Sequence, residues 1–160
     1  MMKIFEIFVL YILIEPTDRL SNHLNFKNKL NILFHKDYSN ISTEILQMNT
    51  INSSTLHHIL LNENPILIDV REISEFNQGN IEGALNIPLS RVKKSFNLSE
   101  INFLNKFSLT KPVKNSNIIL YCRSGRRSLD ALRILHKLGY TDSRHLEGGI
   151  LDWIDYKNLI

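Results

Sequence analysis

From about residue 48 onward, short continuous apolar runs alternate with amphipathic stretches. Pro65–Val70 reads Pro-Ile-Leu-Ile-Asp-Val, and Asn117–Tyr121 reads Asn-Ile-Ile-Leu-Tyr. Each is the kind of run that a parallel strand covered on both faces requires. Ahead of the first, Leu56, Ile59 and Leu60 recur at helical spacing. Asn52-Ser53-Ser54 can cap that helix, and Asn62-Glu63-Asn64-Pro65 stops it. After the second run a helix is expected from Ser128 to Leu138. Leu129, Leu132, Leu135 and Leu138 recur three apart, and Ala131 and Ile134 widen the face. Gly139 follows, where a left-handed cap belongs. A short strand near Arg144–Leu146, a Gly148-Gly149 turn and a closing helix around Trp153 complete the pattern. Strands alternating with helices predict an α/β layer fold with a largely parallel sheet.

The first part of the chain reads differently. Residues 1–14, MMKIFEIFVLYILI, are too few to span a bilayer, which takes about 20 apolar residues. No small-residue cleavage site follows; Glu15-Pro16-Thr17-Asp18 stands there instead. A packed N-terminal element is favoured over a targeting segment, and a membrane anchor comes last. Residues 17–45 are basic and Asn-rich, with an imperfect stripe of Leu20, Leu24, Phe26, Leu30, Leu33 and Phe34. An organelle leader and a linker with a helical piece both fit. The expected organisation is an extension over 1–45 and one domain over 46–160. The expected location is a reducing compartment: the cytoplasm, or a plastid or mitochondrion if the extension is a leader.

Composition narrows the function classes. The 160 residues are 43% hydrophobic and 22% charged, which excludes a disordered chain, a collagen and a polytopic membrane protein. A net charge of +3 is too small to argue for nucleic acid. The sequons at Asn40, Asn52 and Asn97 read as by-products of an Asn-rich background. There is a single cysteine, Cys122, so an intramolecular disulfide and a Cys-rich zinc site are both excluded.

That cysteine sits one residue past the second buried strand, in Cys122-Arg123-Ser124-Gly125-Arg126-Arg127, just before a helix. In open α/β sheets ligands bind beyond the carboxyl ends of the strands. N–H groups at a helix start converge on one point and carry the positive end of the helix dipole. Such a setting, with arginines alongside, favours a thiolate nucleophile and an oxyanion substrate. Gly125 lets the backbone curl tightly around whatever the sulfur carries. A buried inert thiol would explain neither the loop context nor the arginines.

Four stretches together resemble the single-domain rhodanese family of sulfurtransferases. They are Leu67-Ile68-Asp69-Val70-Arg71-Glu72; then Glu75-Phe76 with Gly79-Asn80-Ile81-Glu82-Gly83-Ala84-Leu85-Asn86-Ile87-Pro88; then Tyr121 to Ser128; and finally Leu138-Gly139-Tyr140 with Leu146-Glu147-Gly148-Gly149-Ile150 and Trp153. The resemblance covers about residues 48–156. It implies an open five-stranded parallel sheet flanked by helices, no cofactor and no metal. It also implies a double displacement: Cys122 takes sulfane sulfur from thiosulfate or a similar donor, and its persulfide passes the sulfur to cyanide or a thiol. By position, Arg123, Arg126 and Arg127 would orient the donor's oxyanion, and Ser124, Gly125 and Ser128 would shape the cradle. Arg71 would line the rim and bind substrate, with Asp69 supporting the site. Asn80 departs from the family, which often has His there, and reads as structural.

Three rivals remain. A Cys-based phosphatase needs five residues between Cys and the phosphate-binding Arg; Ser128 holds that place here, and Arg127 closes a shorter loop. A non-catalytic interaction module commonly loses the cysteine. A persulfide relay to a protein partner, in tRNA thiolation or synthesis of a sulfur-containing cofactor, keeps the chemistry and changes its destination. The adjacent His57-His58 point to different helix faces and read as one core-edge and one solvent residue rather than a metal site.

Overall fold

A computed structural model describes residues 47–160. The expectations for the apolar start and the basic stretch behind it lie outside the described residues. Five strands and six helices follow in order: β1 (Thr50–Ile51), α1 (Ser53–Asn62), β2 (Ile66–Asp69), α2 (Ile73–Phe76), β3 (Leu85–Asn86), α3 (Leu89–Phe96), α4 (Glu100–Phe107), β4 (Ile118–Tyr121), α5 (Arg126–Lys137), β5 (Arg144–Leu146) and α6 (Gly149–Leu159). The sheet order is β1-β5-β4-β2-β3, and every pairing is parallel.

The two apolar runs become the central neighbours β2 and β4, because only interior strands need apolar residues on both faces. Alternation divides their side chains between two cores. Ile68, Val70, Ile118 and Leu120 pack with Val92, Phe96, Phe103, Ala131, Leu132 and Leu135 under α3, α4 and α5. Leu67, Ile119 and Tyr121 pack on the other face with Leu56, Ile59, Leu146 and Ile150 under α1 and α6.

Several boundaries follow local chemistry. Asn52 caps α1, its side-chain oxygen accepting from the Thr55 N–H at 2.8 Å. Helix α5 begins at Arg126, two residues ahead of the expected start at Ser128, because Gly125 at φ 87° ends the loop there. Between β2 and β4, α2, α3, α4 and the edge strand β3 arise where the apolar pattern predicts no element. They are short: β3 pairs over two residues and α2 spans four.

Candidate active site

Asp69 at the end of β2 lies in register with both Asn86 of β3 and Tyr121 of β4. The carboxyl ends of three strands therefore finish at one level, and Cys122 follows directly. Continuing the alternation of Ile118 and Leu120, its side chain joins the α5 side of the core and is 1% exposed. The loop turns through exposed Arg123 and Ser124 to buried Gly125. Gly125 offers no side-chain cap to α5. The first-turn N–H groups of α5 thus point out of the helix end over the loop, where the dipole favours an anion by about 0.3–1 kcal/mol.

The loop backbone is held from the far side by α6. The Ile150 N–H donates to the Cys122 carbonyl at 2.8 Å and the Leu151 N–H to the Arg123 carbonyl at 3.2 Å. This approach depends on the Gly148-Gly149 pair, at φ 76° and 66°. A Cβ on Gly149 would overlap the Cys122 carbonyl oxygen and stand 2.6 Å from the Arg123 backbone. Gly125 is crowded in turn: a Cβ there would come within 3.1 Å of the Gly148 nitrogen.

Beneath the loop, the buried Ser128 hydroxyl donates to the Gly125 carbonyl at 2.8 Å and lies 3.3 Å from His145 Nδ1. His145 Nε2 lies 3.1 Å from the Thr50 hydroxyl. A hydrogen-bonded chain therefore joins β1 and β5 to the loop. Burial lowers the His145 pKa below its ordinary value and favours the neutral ring. Nothing in the sequence pattern points to His145 or to the Gly149 contact. The Gly148-Gly149 pair reads there only as a turn.

Arg71 is a buried strut. Its Nε and Nη2 donate to the Asp69 carboxylate at 2.9 and 2.6 Å, and Nη2 also reaches the Gly79 carbonyl at 2.7 Å. Burial alone would lower its pKa, but the Asp69 hydrogen bonds and charge outweigh this, and the net direction is upward. Asn86 closes the corner, donating to the carbonyls of Asp69 and Arg71 at 3.1 and 2.9 Å. Asn80, the departure from the family pattern, donates to the Phe76 carbonyl at 3.3 Å and serves the turn after α2.

The three arginines of the loop diverge. Arg123 and Arg126 are exposed. Arg127 is held by Glu75: Nη1 donates to Oε2 at 2.6 Å and Nη2 to Oε1 at 2.7 Å. These bonds bring the Glu75 pKa down from 4.5 to about 2 and raise that of Arg127, which also feels the Cys122 sulfur. Glu75 is a site residue that a list built on the loop omits. Its only signal in the sequence is its place in the Glu75-Phe76 stretch.

A cleft of about 620 Å³ opens beside the loop. Arg71, Glu75, Gly79, Asn80 and Arg123 line its inner part, and one face of α6 from Ile150 to Asn158 forms the opposite wall. His57 lies outside it, 3.1 Å from the Tyr156 hydroxyl, and His58 is exposed. Among the described residues no group of His, Cys, Asp and Glu could hold a metal ion.

Residues 53–156 match the family model described as a rhodanese-like domain. The chain belongs to the rhodanese-like domain family. Among curated rhodanese relatives, it is 44% identical over 90 residues to a putative mitochondrial thiosulfate sulfurtransferase of Schizosaccharomyces pombe. That match covers 56% of this chain and 63% of the yeast protein, so it spans under two thirds of that relative's length. It is 31% identical over 107 residues to a human thiosulfate:glutathione sulfurtransferase, covering 66% of this chain and 93% of the human protein. A solved human single-domain sulfurtransferase superposes with a TM-score of 0.65 at 30% identity, over 67% of this chain and 96% of that one. The open five-stranded parallel sheet is thus the rhodanese fold.

Proposed function

We propose that this rhodanese is a sulfurtransferase that works through a persulfide on Cys122, within the unit formed by residues 46–160. The observation that carries this reading is the position of the chain's single thiol, at the end of β4 inside a loop that opens an uncapped helix. The Cys122 thiolate attacks the outer sulfur of thiosulfate. As the new S–S bond forms, the donor's own S–S bond breaks and its electron pair leaves with sulfite. The persulfide anion then sits where the first-turn N–H groups of α5 are aimed. An acceptor thiolate, or cyanide, attacks the outer sulfur, and Cys122 departs as the thiolate.

In this reading Arg123 and Arg126 draw in the donor's oxyanion, and Arg127 stands behind them under the control of Glu75. Ser124, Gly125 and Ser128 shape the cradle, while Asp69 fixes Arg71 at the rim. Thiosulfate and glutathione, named for the relatives, are the donor and thiol acceptor to try first, with cyanide as the inorganic acceptor. A protein thiol is a further destination for the same sulfur.

The test is intact mass under non-reducing conditions after incubation with thiosulfate. The expected result is a gain of one sulfur, about 32 Da, that is absent in Cys122→Ala. No adduct, together with hydrolysis of a phosphatase substrate, would overturn the reading.

A further inference from the structure

The polar groups beneath the loop hold few protons, and their partners fix where each proton sits. The Ser128 hydroxyl has one proton and two neighbours, the Gly125 carbonyl at 2.8 Å and His145 Nδ1 at 3.3 Å. A carbonyl only accepts, so the serine proton lies on the shorter contact. The serine oxygen is then left to accept, and Nδ1 brings a proton of its own. This holds for a charged ring and for a neutral one. Burial lowers the pKa of the ring most, Glu147 opposes it and Arg133 adds to it, and the ring is neutral at neutral pH. A neutral ring protonated on Nδ1 has a bare Nε2, which accepts from the Thr50 hydroxyl at 3.1 Å. Every donor in the chain therefore points one way, from Thr50 through His145 and Ser128 to the Gly125 carbonyl.

The chain ends on the peptide that opens α5. The Gly125 carbonyl also accepts from the Leu129 N–H at 3.0 Å, so two donors draw it into the helix. In a trans peptide the carbonyl and the next N–H point in opposite directions. The Arg126 N–H is thereby turned out of the helix end. Cys122 packs on this same side of the sheet, and Arg127, the next residue along, feels its sulfur. Aligned hydrogen bonds polarise one another, so the same chain strengthens this N–H as a donor. A ring bare at Nδ1 would set two lone pairs face to face, or pull the serine proton away from Gly125.

We propose that His145 is a positioning residue held with its proton on Nδ1, and that through Ser128 it fixes the Gly125–Arg126 peptide, whose N–H receives the anionic sulfur on Cys122. That this sulfur is a persulfide rests on the reading above. His145 touches no substrate and exchanges no proton with the reactants.

Asparagine and glutamine separate the two ring nitrogens. The Asn nitrogen is as many bonds from Cβ as Nδ1 and can keep the bond to Ser128, whereas the Gln nitrogen is as far out as Nε2. The full chain, isotope-labelled at its histidine nitrogens, is measured by long-range nitrogen–proton correlation at neutral pH, with the His145 ring assigned through bonds from its Cβ. The expected spectrum shows a protonated Nδ1 and a bare Nε2. The rate of sulfur addition to Cys122 is followed by intact mass in the native chain, His145→Asn and His145→Gln, with melting curves to check the fold. At saturating thiosulfate, His145→Asn is expected within about twofold of native and His145→Gln about tenfold slower, with KM for thiosulfate unchanged. A ring protonated on Nε2, or equal rates in the two variants, overturns the assignment. If neither variant folds, the ring spectrum of the native chain decides alone. The two readings fail separately. A ring protonated on Nδ1 without any sulfur adduct sinks sulfur transfer and leaves the hydrogen-bonded chain, whereas an adduct with the proton on Nε2 sinks only the role of His145.

Discussion

Glu75 and Arg127, 52 positions apart, meet in a two-pronged ion pair that ties the wall of the approach to the first turn of α5. Glu75 also accepts from the Glu72 N–H at 3.3 Å, closing a capping box on α2. The carboxylate is thereby fixed from its own helix, and it fixes in turn an arginine that feels the Cys122 sulfur. Both side chains are about one-third exposed, so the pair orients more than it stabilises.

Glu75→Gln keeps the shape and removes the charge. Persulfide formation from thiosulfate is expected to slow about tenfold, because a misplaced charge costs rate steeply. Stability at neutral pH should fall by only about 0.5 kcal/mol. Rapid-mixing mass analysis and urea melts separate the two effects, and an unchanged rate would remove Glu75 from the site. The native carboxyl has a lowered pKa, so its contribution is full above the ordinary 4.5 and is lost as pH falls towards about 2. The stability gap between native and variant should close over that interval.

His145 supplies a second pH signature. Its pKa is lowered by burial, so the unfolded chain takes up a proton before the folded one does. The related stability is present above the ordinary value of 6.5 and declines as pH falls below it. Melting temperature should therefore drop between about pH 7.5 and about pH 5, and His145→Gln should flatten that drop. A slope identical in both proteins would assign it to other groups.

Gly149→Ala should damage the site out of proportion to its size. The added methyl meets the Cys122 carbonyl and the Arg123 backbone, at a φ that L residues rarely adopt. A loss of about 2 kcal/mol is expected, with persulfide formation reduced at least tenfold. Gly83 has a similar φ of 78° with nothing within 4 Å, so Gly83→Ala isolates the conformational cost and should leave the rate alone. Equal behaviour of the two variants would show that the close approach does not matter.

Ser128→Ala removes the hydroxyl that donates to the Gly125 carbonyl and leaves that buried acceptor without this partner. A loss of about 1–2 kcal/mol is expected. Ser128→Thr, which keeps the donor, should recover most of the rate of persulfide formation if the bond positions the loop. Failure of Thr to rescue would point to packing instead.

Much of this site can be read locally. The run Ile118–Tyr121, the lone Cys122, Gly125 and the leucine spacing of α5 are neighbours in sequence, and their chemistry shows without knowing what else approaches. Arg71 and Arg127 are harder. As residues both read as cations available to substrate, yet one is buried on Asp69 and the other is held by Glu75. Glu72, Glu75 and Glu82 are equivalent on paper. Only the placement of α2 against α5 selects the middle one.

The layered α/β class, the two central strands and the thiol at the head of α5 are legible in the local pattern of residues. Periodicity and turn chemistry act over a few residues, and the apolar runs are long enough to be unambiguous. Tertiary structure alone decided the two-residue edge strands, the seating of Gly149 on the Cys122 carbonyl, the Ser128–His145–Thr50 chain and the Glu75–Arg127 pair. Each joins residues remote in sequence through a backbone carbonyl, a hydroxyl or a common carboxylate. Such groups occur all along the chain, and only the packing of α2, α5, α6 and β5 around one strand end singles these out.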